Sequence, residues 1–336
     1  MLLKTFAAIL LLGFVSTAPT SDEEHLTITT QYYAESLVVY TGKHDIVNIL
    51  VPLNSLNFDE DDSSESDESS ESEITVFFAE ADIDENGKRV DQGLYVLKNG
   101  TAKKILENGR DAAASGDSSK KVYLAASDGI YVYNQEDETA TKFGSISDSI
   151  IGIAQEVESD VLYILTEDNS VYKVTEDGNK KTKIDDIVNA QQIVLDYENN
   201  LYFYTPDKKV HVYTSEGVKD VTGLPSNPSK ITLIKPPILL DNGIPVVLDA
   251  ASYIIYANGT TEDYGVDIKP NAIPTAYGME AALIQYYGHN KKLYEYNMLA
   301  IVLSSILEEL KDFLGDKTDS IQSIATQKRK DLRKKA

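Results

Sequence analysis

Apolar and polar positions along this chain form a unit of about forty residues that recurs six times. Each unit has an apolar, tyrosine-rich segment, a short polar turn, a second apolar segment and a Gly- or Asn-rich turn. The first segments are centred on Phe77, Tyr123, Tyr163, Tyr202, Val247 and Leu283, at spacings of 46, 40, 39, 45 and 36 residues. Aromatic and β-branched segments joined by such turns predict strand pairs, and this period is typical of propeller blades. The sequence therefore predicts an all-β fold, a six-bladed β-propeller over residues 19–297.

The segments between the strand pairs predict the remaining strands of each blade. Two runs near the N-terminus, Ser36–Thr41 and Asp45–Pro52, read as outer strands that complete the last blade and close the ring. Ser55–Phe58 reads as the inner strand of the first blade. Four further runs are expected as innermost strands: Ser149–Ala154, Ala190–Asp196, Ser229–Lys235 and Asn271–Tyr277.

The first eighteen residues have the order of parts found in a signal peptide. Lys4 supplies a positive charge, Phe6–Val15 an apolar region of ten residues, and Ser16–Ala18 a small-residue cleavage site. The apolar region is too short to span a bilayer. We therefore expect a secreted, extracellular protein.

An acidic tract at residues 59–73 interrupts the first blade. Nine of its fifteen residues are acidic and six are serine, so it cannot bury apolar surface and is expected to be disordered. Ser63, Ser66 and Ser69 each have an acidic residue two positions later and are candidate phosphorylation sites. Phosphorylation would make the tract a diffuse calcium binder, whereas the unmodified tract is a solubilising insertion.

The C-terminal segment, residues 298–336, has a different pattern. From Leu299 to Leu314, apolar residues recur every three or four positions, which predicts an amphipathic helix. Residues 328–335 then carry six basic residues against one acidic residue. This helical appendage either docks on the propeller or contacts a partner, a lipid surface or a second copy of the chain.

Composition narrows the classes of function. A net charge of −23 argues against nucleic-acid binding, which needs a basic face. The chain has no cysteine, so no disulfide supports the fold. Two sequons, at Asn99 and Asn258, fall in equivalent turns after the second strand of their units and are candidate glycosylation sites on the outer rim.

Catalytic and metal-binding motifs are missing from the sequence. None of the four histidines has a metal-ligand spacing, and no nucleophile elbow, P-loop or dinucleotide fingerprint occurs. Calcium-dependent propeller hydrolases need acidic and amide side chains directed at one axial metal, whereas these inner strands are mostly neutral. We therefore expect a protein that is not an enzyme and needs no cofactor. The candidate ligand-binding residues near the axis are Asp148, Gln191, Gln192, Lys230, Lys235 and Tyr277.

Several runs resemble the ommochrome-binding proteins of moths and butterflies, secreted haemolymph proteins that carry tryptophan-derived phenoxazinone pigments. The similarity covers roughly residues 36–297 and lies in blade strands and turns. The matching runs are Val122–Asn134, Thr141–Gly144, Asp160–Leu165, Ile193–Tyr204 and Ile74–Phe78. The resemblance implies a carrier for a small aromatic pigment, bound at the axial mouth.

Two functions are favoured on the sequence alone, and a third class, a calcium-dependent hydrolase with one ion held on the axis, also stays open. The first is the pigment carrier, for which aromatic faces would stack on the ligand and amides and lysines would orient it. The alternative is an extracellular assembly protein that uses the acidic tract and the C-terminal helix for calcium or protein partners.

Overall fold

A computed structural model of the chain describes residues 25–53, 74–114, 121–280 and 284–297. These residues form 25 strands in six sheets. The three 3₁₀ turns within them lie at Thr30–Tyr32, Glu35–Leu37 and Pro270–Ala272. No helix in this part of the chain has the length and apolar character needed to cross a bilayer. The predicted all-β six-bladed propeller is confirmed.

The chain begins with β1 (Leu26–Ile28) and β2 (Val38–Thr41), which belong to the last two blades. Blades 1 to 3 follow, each an antiparallel sheet of four strands in chain order. Blade 1 consists of β3 (Asp45–Leu50), β4 (Val76–Ile83), β5 (Arg89–Lys98) and β6 (Thr101–Leu106). Blade 2 consists of β7 (Gly109–Ala114), β8 (Val122–Ala126), β9 (Gly129–Asn134) and β10 (Thr139–Lys142). Blade 3 consists of β11 (Ile150–Gln155), β12 (Leu162–Thr166), β13 (Val171–Thr175) and β14 (Lys180–Lys183).

Blades 4 to 6 repeat this plan with two additions from the N-terminal strands. Blade 4 consists of β15 (Gln192–Leu195), β16 (Leu201–Tyr204), β17 (Val210–Thr214) and β18 (Gly217–Asp220). Blade 5 consists of β19 (Ile231–Leu233), β20 (Gly243–Leu248), β21 (Ala251–Tyr256) and β22 (Thr261–Ile268), with β1 parallel to β22 as a fifth strand. Blade 6 consists of β23 (Ala276–Gly278), β24 (Ile284–His289) and β25 (Lys292–Asn297), and antiparallel β2 completes it.

Both faces of the central strands are apolar because each blade packs against two neighbours. In β12, Leu162 and Ile164 belong to the cluster shared with blade 2, whereas Tyr163 and Leu165 belong to the cluster shared with blade 4. Successive side chains of a strand point to opposite faces, so an uninterrupted apolar run fills both interfaces. The six hydrophobic clusters correspond to the six blade interfaces, including the one between blades 6 and 1. The ring is therefore closed by apolar packing.

One of the two N-terminal strand assignments is confirmed and the other is wrong. Val38–Thr41 is the outermost strand of the last blade, as expected. Asp45–Leu50 is instead the innermost strand of blade 1, paired with β4 across the acidic tract. Ile46 and Ile49 pack against blade 6 while Leu50 packs between blades 1 and 2, a burial on both faces that suits a strand at the axis.

Several predicted features lie outside the described residues. They are the signal peptide, the strand at Ser55–Phe58, the acidic tract with Ser63, Ser66 and Ser69, and the C-terminal helix at 298–336. Both sequons are described. Asn99 lies in the β5–β6 turn and Asn258 in the β21–β22 turn, and both are exposed at the outer part of their blades. Glycosylation of the two asparagines stays a prediction.

Candidate ligand-binding site

A cavity of about 470 Å³ lies on the propeller axis, at the end where the inner strands begin. All six blades contribute to its wall, with residues such as Asn48, Asp111, Gly152, Gln192, Thr232 and Ala276. We call it the wide cavity. A second axial cavity, of about 60 Å³, lies where the inner strands end, between Ala114, Gln155 and Asp196. We call it the narrow cavity. Lys235 lines both and so separates them.

Five of the six ligand-binding residues expected from the sequence line the wide cavity: Gln191, Gln192, Lys230, Lys235 and Tyr277. Asp148 does not. Its carboxylate accepts a hydrogen bond of 2.5 Å from Lys181 in the outermost strand of blade 3. The expectation that Asp148 faces the axis is therefore wrong, because the loop that precedes β11 directs it toward the outer strand. Ligand contact by the other five stays a prediction.

The two glutamines already have hydrogen-bonding roles in the protein. The Gln192 amide bridges to blade 5, since its Nε2 donates to the Leu233 carbonyl at 2.8 Å and its Oε1 accepts from the Leu233 N–H at 2.9 Å. Gln191 Nε2 donates to the Asn189 carbonyl at 3.1 Å. Gln192 thus holds two inner strands together, and Gln191 is the freer of the two amides.

Lys230 and Lys88 supply positive charge at the rim of the wide cavity. Both side chains are exposed, and neither ammonium has a hydrogen-bond or ion-pair partner among the described residues. Tyr204 and Tyr277 are the aromatic side chains in the described wall. The wall is therefore less aromatic and more basic than the sequence suggested.

A charged network between blades 1, 2 and 3 was not expected from the sequence. Asp91 accepts from Arg89 Nε at 2.7 Å and from Arg110 Nε at 2.6 Å. Arg110 Nη1 also donates to the Ser149 hydroxyl at 2.9 Å. The Ser149 hydroxyl in turn donates to Glu167 at 2.6 Å, and this bond, with help from Arg110, holds the pKa of Glu167 below its ordinary value.

The network was missed because β7 was not recognised as an inner strand. Its sequence, Gly-Arg-Asp-Ala-Ala-Ala, has none of the β-branched residues that mark the others. The spacing of the strands could have identified β7 as an inner strand. Gly109 precedes Val122 of the next strand by 13 residues, and in blade 3 Ile150 precedes Leu162 by 12.

The floor of the wide cavity is formed by a lysine that crosses the axis. The Lys235 ammonium, from the chain that follows β19, donates to the Ala112 carbonyl of the opposite blade. Its Nζ also lies 3.7 Å from Glu280 Oε1 of blade 6. Burial raises the pKa of Glu280 to about 7, and Asp111 adds to this rise while Lys235 opposes it. The floor therefore combines a cation with a carboxyl that is half-ionised near neutral pH.

A third cavity, of about 70 Å³, lies between blades 5 and 6 and shares Ile234 and Tyr277 with the wide cavity. Its wall is apolar and carries Tyr33, Tyr264, Tyr287 and Tyr296. The buried hydroxyls of Tyr264 and Tyr277 have no hydrogen-bond partner among the described residues. Packing at this interface is looser than at interfaces without such a cavity.

The described residues contain no group of three or more histidine, aspartate or glutamate side chains arranged to hold a metal ion. Two of the acidic residues near the axis instead have basic partners. Asp91 contacts two arginines and Glu280 faces Lys235.

Comparisons with known proteins show the fold. No protein-family model matches the chain, and no curated protein matches its sequence. A chain of a mitotic checkpoint complex is similar at a TM-score of 0.52 with 10% identity, covering 85% of this chain and 99% of that one. Regucalcin from Agrobacterium tumefaciens, described as a calcium-binding protein, is similar at a TM-score of 0.51 with 12% identity, covering 77% and 92%.

Virginiamycin B lyase from Staphylococcus aureus is similar at a TM-score of 0.43 with 15% identity, covering 76% of this chain and 86% of that one. At these identities the similarity identifies a propeller and no particular activity.

Proposed function

We propose that this protein is a secreted, non-enzymatic carrier that binds a planar aromatic anion of the ommochrome type in the wide cavity. The volume of about 470 Å³ lies within the range of roughly 300–1,000 Å³ that small-molecule sites occupy. Tyr204 and Tyr277 offer ring faces, and the half-buried Gln191 amide offers polar contacts at the rim.

The main support for the proposal is the positive net charge of the side chains that line the wide cavity. The wall holds five basic side chains against three acidic ones, a net charge of +2, in a chain whose net charge is −23. The basic residues are Lys88, Arg89, Arg110, Lys230 and Lys235. A basic recess in an acidic protein attracts anions and repels cations, since the potential is focused where the surrounding walls exclude water. An acidic pigment with a flat ring system fits this chemistry.

A titration with xanthommatin tests the proposal. The chain has 21 tyrosines and no tryptophan, so ligand binding near Tyr204 and Tyr277 is expected to quench tyrosine fluorescence. Binding to the folded state is also expected to raise the melting temperature with ligand concentration. Neither change at saturating ligand would contradict the carrier function.

Removal of one lysine from the wide cavity distinguishes ligand binding at that site from nonspecific electrostatic attraction to the protein. Lys230→Ala is expected to weaken binding about tenfold, because it removes one charge-assisted contact at the rim. Lys183→Ala, in the exposed outermost strand of blade 3, removes the same charge away from the cavity and is the matched control. Equal losses in the two variants would argue against binding at the wide cavity.

A further inference from the structure

The Lys235 ammonium has donors left for a ligand. One N–H is used by the Ala112 carbonyl, and Glu280 Oε1, at 3.7 Å, is beyond hydrogen-bonding distance. Lys235 lines the wide cavity, so an anionic group that reaches the floor meets this ammonium.

The Glu280 carboxyl lies on the other side of the same ammonium. Its side chain is 14% exposed, and Oε1 is buried without a hydrogen-bond partner among the described residues. An ionised carboxylate in such a place depends on Lys235 for its stabilisation. A ligand anion in the wide cavity would compete for that cation.

We propose that the wide cavity binds its anionic ligand together with one proton, with Lys235 contacting the anion and Glu280 taking up the proton. This inference rests on the proposed anion-binding function. The proton comes from solvent and forms an O–H bond on the Glu280 carboxylate. One buried ammonium cannot compensate the charge of two neighbouring anions. The anion that loses its contact with the ammonium is therefore neutralised by a proton.

The surroundings assign the proton to Glu280. The titratable groups that face it are Lys235, Asp111 of β7 and Tyr197 after β15. Burial raises the pKa of Tyr197 well above its ordinary value, so this tyrosine stays neutral. The described wall of the wide cavity contains no histidine. With a pKa of about 7, the Glu280 carboxyl changes its protonation state between pH 5.5 and 8.5.

Calorimetry with naphthalene-1-sulfonate tests the proposal, because the sulfonate stays ionised over this pH range. Titrations in buffers of different ionisation enthalpy give the number of protons taken up. We expect about half a proton at pH 7 and almost none at pH 5.5, with affinity falling by about tenfold per pH unit above pH 7.

Glu280→Gln is expected to abolish proton uptake and to bind the sulfonate about tenfold more tightly than the wild type at pH 8. Glu167→Gln, a carboxylate at the rim whose pKa is low, is the matched control and keeps the wild-type dependence on pH. Binding without proton uptake in the wild type, or an unchanged pH dependence in Glu280→Gln, would overturn the inference and leave the carrier function intact. No binding of the sulfonate at any pH would contradict the carrier function itself.

Discussion

The two ends of the propeller axis are built from the same six inner strands, yet they differ about eightfold in cavity volume, with about 470 Å³ at one end and 60 Å³ at the other. At the wide end, the exposed Lys88 and Lys230 supply positive charge at the rim, and neither ammonium has a hydrogen-bond or ion-pair partner among the described residues. At the narrow end, Lys235 crosses the axis and the remaining space lies between small or paired side chains such as Ala114 and Asp196. The ring supplies the wall, and a few side chains decide which end can accept a ligand.

Mutations in the wall and mutations at the two ends are expected to change different properties of the protein. Ile164→Ala removes a fully buried side chain from the interface between blades 2 and 3. The loss of buried area and the cavity left behind are expected to lower the free energy of unfolding by about 2–5 kcal/mol. Denaturant titration measures this loss, and Lys183→Ala in the same blade is the control. A wall variant as stable as the control would show that the interface clusters do not hold the ring.

The floor between the two ends is expected to make stability depend on pH. Burial raises the pKa of Glu280 from 4.5 to about 7, so its contribution to stability is present below about pH 4.5 and is lost as pH rises through about 7. Between pH 5 and 8 this amounts to about 2–3 kcal/mol. Glu280→Gln is expected to remove that slope in denaturant titrations. An unchanged slope would mean that Glu280 is not buried at the floor.

The pKa of Glu167, at the rim of the wide end, is shifted in the opposite direction to that of Glu280. Its pKa is lowered by the Ser149 hydrogen bond, so its contribution is present above its unfolded pKa and lost as pH falls. Glu167→Gln is therefore not expected to flatten the decline between pH 5 and 8.

The repeat predicted the wall well. Apolar strand pairs mark blades with both faces buried, so the strand pairs of blades 2 to 4 and the inner strands β11, β15 and β19 were recognised. The fourth expected inner strand, Asn271–Tyr277, is largely wrong, because β23 is Ala276–Gly278 and a 3₁₀ turn occupies Pro270–Ala272. The inner strand of blade 1 was not, because 25 residues separate Leu50 from Val76 and the acidic tract lies between them. A strand near the tract, Ser55–Phe58, was assigned to the axis instead.

The chemistry of the two ends was harder to predict than the wall. Lys235 and Glu280 lie 45 residues apart in sequence, and Lys235 meets Ala112 across the ring, so their proximity depends on closure of all six blades. Arg110 and Asp91 likewise come from different blades. Strand patterns predict which residues lie near the axis, and they do not specify which of them pair with one another.

Tyr204 tests whether an aromatic ring at the wide end contacts the ligand. Tyr204→Leu keeps apolar bulk and removes the ring face at the wide end, and it is expected to weaken xanthommatin binding about three- to tenfold. Tyr131→Leu, in blade 2 away from the cavity, is the control. Quenching titrations measure both. An unaffected Tyr204→Leu variant would mean that this ring does not contact the pigment.

Asp148 is expected to give the smallest effect. Its ion pair with Lys181 is partly exposed, so Asp148→Asn is expected to change the free energy of unfolding by less than about 1 kcal/mol. It is also expected to leave pigment affinity unchanged, as measured in the same titrations. A large loss of affinity would place the ligand at the outer strand of blade 3.

Xanthommatin titration of a blocked wide cavity tests the central claim most directly. Thr232 lies on the inner strand of blade 5 in the wall of that cavity, and Thr232→Trp places a large ring in it while every charged residue of the wall is kept. The account predicts one saturable site in the wild type and loss of that site in Thr232→Trp, with the fold checked by circular dichroism. Equal binding by the two proteins, or none by the wild type, would contradict it.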